Sequence, residues 1–172
     1  MDYTVYFKRK IYDKLLDWKN NSNGKTALLL EGARRIGKST IAEVFAKNEY
    51  EDYILINFDV APDEIKDLFI HERSDINLVL QKLQSFYRKV LPIRKSLIIF
   101  DEVQFCPEAR SLIKYLVADG RYDYLETGSL ISIKKNVENI LIPSEEKKLN
   151  MYPLDFEEFL WALGYTNTIP FL

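Results

Sequence analysis

Short apolar runs alternate along the chain with longer stretches in which apolar residues recur every three or four positions. The runs Thr26–Glu31 (TALLLE), Tyr53–Phe58 (YILINF), Ser96–Phe100 (SLIIF) and Tyr122–Thr127 (YDYLET) have the length and continuity of strands covered on both faces, as in a parallel sheet. A fifth, weaker strand is expected at Lys148–Tyr152. Between them the pattern predicts helices over Lys38–Lys47, Pro62–Phe69, Asp75–Val90 and Pro107–Ala118. The second carries Asp63 and Glu64 in its first turn, where the helix dipole favours anions. Ahead of the first strand, Ile11, Leu15 and Trp18 fall at i, i+4 and i+7, an opening helix stopped by the polar run Asn20–Gly24. Strands and helices in strict alternation join by right-handed crossovers, which predicts an α/β fold: three αβα layers around a mainly parallel sheet.

Bulk properties narrow the function. A chain of 172 residues with 47% hydrophobic content can bury one good core. With 24 Lys+Arg against 26 Asp+Glu the net charge is -2, so nucleic acid is not indicated by charge. The longest apolar runs, Ala27–Leu30 and Leu97–Phe100, fall far short of the roughly 20 residues of a spanning helix. The start Met1-Asp2-Tyr3 does not read as a signal peptide, and the expectation is a cytoplasmic protein without a membrane partner. Cys106 and His71 are each the sole residue of their kind, which excludes an internal disulfide and leaves too few soft ligands for zinc.

The informative chemistry sits at the end of the first strand. Gly32-Ala33-Arg34-Arg35-Ile36-Gly37-Lys38-Ser39 satisfies G-x-x-x-x-G-K-[ST] between a buried strand and a helix, and so reads as a P-loop. Such a loop answers a polyphosphate with converging backbone N–H groups at a helix N-terminus, and glycine is needed where a Cβ would block that approach. Residues 32 to 40, from Gly32 through Thr40, are the expected nucleotide contacts, with the Lys38 ammonium on the β/γ-phosphates and the Ser39 hydroxyl on Mg²⁺. Leu97-Ile98-Ile99-Phe100-Asp101-Glu102 supplies the acidic counterpart, a buried strand ending in two carboxylates. Asp101 is the expected second anchor for magnesium, through a coordinated water, and Glu102 the group that orients or deprotonates an attacking water. The fourth strand ends Leu125-Glu126-Thr127-Gly128-Ser129, beside the loop strand in a parallel sheet. Thr127 or Ser129 can therefore face the γ-phosphate, a sensor position. A turn built on Gly128, its neighbours' hydroxyls satisfied by local backbone, explains the same residues equally well.

These segments together resemble a known family. GARRIGKS, LIIFDEVQ, ETGSL and above all Tyr152-Pro153-Leu154-Asp155-Phe156-Glu157-Glu158-Phe159-Leu160 look like the AAA-type ATPases, mostly prokaryotic, that carry a C-terminal domain of unknown function. The resemblance covers nearly the whole chain. It implies ATP as the nucleotide, a P-loop NTPase sheet of order 5-1-4-3-2, and a protein partner or homo-oligomer for the intact protein. Relatives continue through a helical lid and a further domain, so the expected division is a helix and linker over residues 1–24, a nucleotide-binding core over 25–152, and a C-terminal helix and tail over 153–172, with the lid absent. Phe156, Phe159, Leu160 and Trp161 are then expected to lack part of the surface they would cover.

Other positions are less specific. Arg34 and Arg35 are candidate arginine fingers, but a pair at a loop tip is more often solvated, and Arg110 and Arg121 are weaker candidates. Lys8-Arg9-Lys10 reads as a solvated helix start, Asp59 as ordinary loop chemistry, and Gln104 as a polar loop residue able to polarise a water. ATP hydrolysis is the leading expectation. A nucleotide-gated interaction module using Pro143–Pro153 and a small-molecule phosphotransferase are the alternatives. Glu102 speaks against the phosphotransferase, and the lack of an N-K-x-D segment after the acidic strand speaks against GTP.

Overall fold

In the computed structural model, which describes residues 8–129 and 144–165, apolar runs and amphipathic stretches become five strands and six α-helices. They follow as α1 (Ile11–Ser22), β1 (Ala27–Gly32), α2 (Lys38–Glu49), β2 (Asp52–Asn57), α3 (Asp63–His71), α4 (Ile76–Tyr87), β3 (Ser96–Asp101), α5 (Pro107–Asp119), β4 (Asp123–Ser129), β5 (Glu146–Asn150) and α6 (Phe156–Ala162). All pairings are parallel and the strand order is β2-β3-β4-β1-β5, the expected 5-1-4-3-2 read from the other edge.

Side-chain alternation along the strands divides the core into two. Leu28, Leu30, Leu97, Ile99 and Leu125 pack with Ile41 and Phe45 of α2 and with Ile11, Leu15 and Trp18 of α1. On the other face, Leu29, Ile54, Ile56, Ile98, Phe100 and Tyr124 pack against α3, α4 and α5. The opening helix is thus part of the core: Leu15 is fully buried, and the rings of Tyr12 and Trp18 lie against Phe45.

Several boundaries differ from expectation by one to three residues, and three of them have a clear cause. Helix α4 ends at Tyr87, short of Val90, because Arg88 turns left-handed at φ 54° and its N–H closes onto the Gln84 and Ser85 carbonyls. Strand β4 runs past Thr127 to Ser129, since β1 extends far enough for Gly32 to pair with Ser129. Strand β5 begins at Glu146, opposite Ala27, and ends at Asn150, short of Tyr152.

Of the sequence expectations, Met1–Tyr3, Pro143 and residues 166–172 lie outside the described residues. Among those described, no helix is long and apolar enough to cross a membrane.

Candidate functional site

The parallel sheet delivers the ends of β1, β3 and β4 to one edge, and the candidate residues meet there. Gly32 closes β1. A Cβ on Gly32 would overlap the Met151 carbonyl oxygen and the Ile36 side chain, so only glycine lets the chain leave the sheet so close to the segment after β5. The loop then passes Arg35 at φ 62° and enters α2 through Gly37 at φ 96°, left-handed backbone that glycine adopts at little cost. Ala33, Arg34, Arg35 and Thr40 are exposed, while Ile36, Gly37 and Ser39 are half-buried.

Lys38 folds back beneath this loop. It is 4% exposed, and its ammonium donates to the Gly32 carbonyl at 3.1 Å and to the Ala33 carbonyl. Burial holds the ammonium below its ordinary value; Glu102 and Asp101 work in the opposite direction, and Arg34 adds to the lowering. The cation therefore lies within the field of both acids at the end of β3.

Those acids hold different positions. Asp101, buried, accepts the Ser39 hydroxyl on Oδ1 at 2.6 Å and the Thr127 hydroxyl on the same oxygen at 2.5 Å. Thr127, fully buried, also accepts the Glu102 backbone N–H at 3.0 Å. Glu102 stands at φ 54°, a left-handed position for a residue with a Cβ, which swings it out of the strand direction. Its carboxylate accepts a hydrogen bond from the Gln104 amide. Ser129, 5% exposed, lies opposite Gly32 in the β1/β4 register, and its hydroxyl has no hydrogen-bond partner among the described residues.

The donor set fits magnesium: a hydroxyl and a carboxylate, both hard oxygen ligands, already converge within hydrogen-bond distance at the mouth of the loop. It equally fits a polyphosphate, through a glycine-lined loop at a helix N-terminus with a lysine against it.

Three arginine readings change. Arg110 is not a free finger: it is 6% exposed and makes a two-pronged contact with Glu146 at 3.0 and 2.7 Å. Arg121 is held by Asp119 and Asn77. Arg9, expected to be solvated, is buried at 9% exposure and reaches the loop itself, donating to the Ile36 carbonyl at 2.8 Å. Its only sequence signal was a basic cluster before a helix, which says nothing of burial. Asp59 is exposed and stays within its own turn, its N–H donating to the Asn57 side chain.

Comparison with known proteins follows the same lines. A family model described as an AAA domain matches residues 24–160. Among solved structures, the fold resembles that of the DnaC helicase loader, with 13% identity over 87% of this chain and 94% of that one and a TM-score of 0.50. A weaker likeness, TM-score 0.40 at 14% identity over 85% of this chain and 39% of the other, is to C. elegans PCH-2. The search of curated proteins found no significant match.

Proposed function

Because this chain belongs to the AAA domain family, we propose that it binds ATP with magnesium between β1, β3 and β4 and hydrolyses the γ-phosphate. One observation carries the reading. The Ser39 hydroxyl and the Asp101 carboxylate, 62 positions apart, meet at 2.6 Å beside the buried Lys38, the arrangement a metal-bound triphosphate needs.

Gly32 and Gly37 keep the loop backbone open to phosphate oxygens, and the amides of residues 33 to 40 supply donors. Lys38 exchanges its carbonyl partners for β/γ-oxygens and offsets charge as the γ-phosphoryl leaves. Ser39 and Asp101 would hold magnesium, which when bound supplies charge neutralisation to the phosphates. Glu102, positioned by Gln104 and by its strained backbone, orients and deprotonates the attacking water. Thr127 keeps Asp101 and Glu102 in register with each other.

The finer family likeness, to AAA-type ATPases with a C-terminal domain of unknown function, is supported by the Tyr152–Leu160 run. On this reading the protein works in the cytoplasm as part of a homo-oligomer or with a protein partner. A second reading, a nucleotide-gated interaction module with little turnover, draws support from the exposed Tyr152, Leu154, Phe156 and Phe159.

Titration with MgATP and MgGTP, together with phosphate release, tests the proposal. The expected result is saturable MgATP binding that Lys38→Ala abolishes, with slow release of phosphate. Folded protein that ignores both nucleotides at millimolar concentration would remove the reading, and tight MgATP binding without phosphate release would favour the interaction module.

A further inference from the structure

The segment before α1 presents three consecutive cations, yet only the outer two, Lys8 and Lys10, are exposed. Arg9 points inward, and its guanidinium joins three parts of the chain. Nε donates to Glu158 of α6 at 2.8 Å, Nη1 to the Ile36 carbonyl of the loop at 2.8 Å, and Nη2 to the Tyr152 carbonyl after β5 at 2.5 Å. Glu158 is 6% exposed and equally committed. It accepts the Lys10 N–H at 3.0 Å and, through its other oxygen, the Asp155 N–H at 3.1 Å, while its own N–H donates to Asp155; this reciprocal pair starts α6.

The contact lies directly behind the phosphate loop. Ile36 is the residue before Gly37, and a Cβ on Gly37 would come within 3.5 Å of Arg9 Nη1 and 3.8 Å of Met151 Cε. Met151 in turn donates its N–H to Glu31 at the end of β1 at 2.7 Å. The Ile36–Gly37 turn, which delivers loop amides to the start of α2, is therefore backed by Arg9 and by the β5–α6 connection. A planar fork with several fixed donors can serve three acceptors at once; a lysine ammonium on a flexible stem cannot hold that geometry. A buried charge stripped of its partner is costly, so α6 cannot leave its seat without disturbing the loop.

Resting on the nucleotide-binding reading, we propose that Arg9 is a positioning residue that sets the Ile36–Gly37 turn and couples the phosphate loop to α6, linking nucleotide binding to the seating of that helix. The coupling is reciprocal: whatever seats α6 strengthens nucleotide binding, and nucleotide seats α6.

Amide hydrogen exchange with and without MgADP, on the full chain, tests this. In the parent, MgADP slows exchange across Phe156–Ala162. Arg9→Lys, which keeps the charge and loses the fork, binds MgADP about tenfold more weakly. At saturating MgADP its α6 shows no slowing, while β3 and β4 exchange as in the parent and so report an intact fold. Glu158→Gln, altering the other side of the contact with little change in volume, shifts both measurements in the same direction. Parent-like affinity in Arg9→Lys, a full α6 response in that variant at saturation, or a parent that binds MgADP with no change in α6 would each overturn the coupling. A parent that binds no MgADP overturns the nucleotide reading itself.

Discussion

Thr127 donates its hydroxyl to Asp101 Oδ1 at 2.5 Å and so ties the end of β4 to the acid at the end of β3. The same hydroxyl accepts the Glu102 N–H, which bonds the turn that swings Glu102 out of the strand. A single buried side chain therefore spaces Asp101, the proposed metal anchor, from Glu102, the proposed base.

Replacing Thr127 with Val tests that lock at nearly constant volume. The Glu102 N–H and one Asp101 acceptor site lose their partner in a buried setting, which costs about 1–3 kcal/mol. Urea denaturation should show that loss without nucleotide present, and MgATP affinity should fall with it. A Thr127→Val protein of parental stability would mean the hydroxyl does not hold the two acids.

Glu102→Gln separates binding from chemistry. The amide keeps the size of the carboxylate and removes none of the Lys38, Ser39 or Asp101 side chains, so nucleotide affinity should stay within a few-fold of the parent. Phosphate release should drop by about 10²-fold or more, the usual contribution of a positioned general base. Hydrolysis by Glu102→Gln at the parental rate would assign the base elsewhere.

The candidate site was legible because its residues lie in contiguous segments. Gly32 to Ser39 and Leu97 to Glu102 each carry strand end, turn and polar group together, so local pattern sufficed to place both segments at one edge of a parallel sheet. What escaped was set by long-range pairing. Arg9 and Glu158 are 149 positions apart, and neither looks like a buried group in its own neighbourhood. Arg110 lost its finger role to Glu146 for the same reason, since only the β1/β5 register brings Glu146 under α5. The end of α4 depended on Arg88 turning left-handed, which its residue type does not announce.

Glu126 should make stability pH-dependent in an unusual direction. It is fully buried on the α5 face of β4, and as a carboxylate neither oxygen finds a partner among the described residues. Burial first, and then Glu146, push its acid well above the ordinary 4.5, against a smaller opposing pull from Arg110. Below pH 4.5 both folded and unfolded chains hold this proton. As pH rises, the unfolded chain releases it first, and the contribution to stability falls by about 1.4 kcal/mol per pH unit until the folded group ionises too. Glu126→Gln, which mimics the protonated acid, should remove that slope. Urea midpoints from pH 4 to 8 should therefore converge at the acid end, with the variant ahead at the alkaline end. Parallel curves for variant and parent would show that Glu126 folds ionised.

Thr127 and Ser129 face the same side of β4 two residues apart, and only one has a hydroxyl to spare. Thr127 spends its hydroxyl on Asp101 and Glu102, whereas the Ser129 hydroxyl is buried beside Gly32 without a partner among the described residues. A buried unpaired hydroxyl costs stability, and its removal relieves that cost. Ser129→Ala should therefore leave the nucleotide-free protein as stable as the parent or up to about 1 kcal/mol more so, opposite in sign to Thr127→Val. If the hydroxyl waits for the γ-phosphate, the same variant should hydrolyse ATP more slowly and lose its preference for MgATP over MgADP, because only the triphosphate offers that oxygen. Equilibrium unfolding paired with competitive MgATP and MgADP titrations gives both readings on one preparation. A Ser129→Ala protein with unchanged turnover and unchanged ATP-to-ADP discrimination would rule Ser129 out of the sensor position.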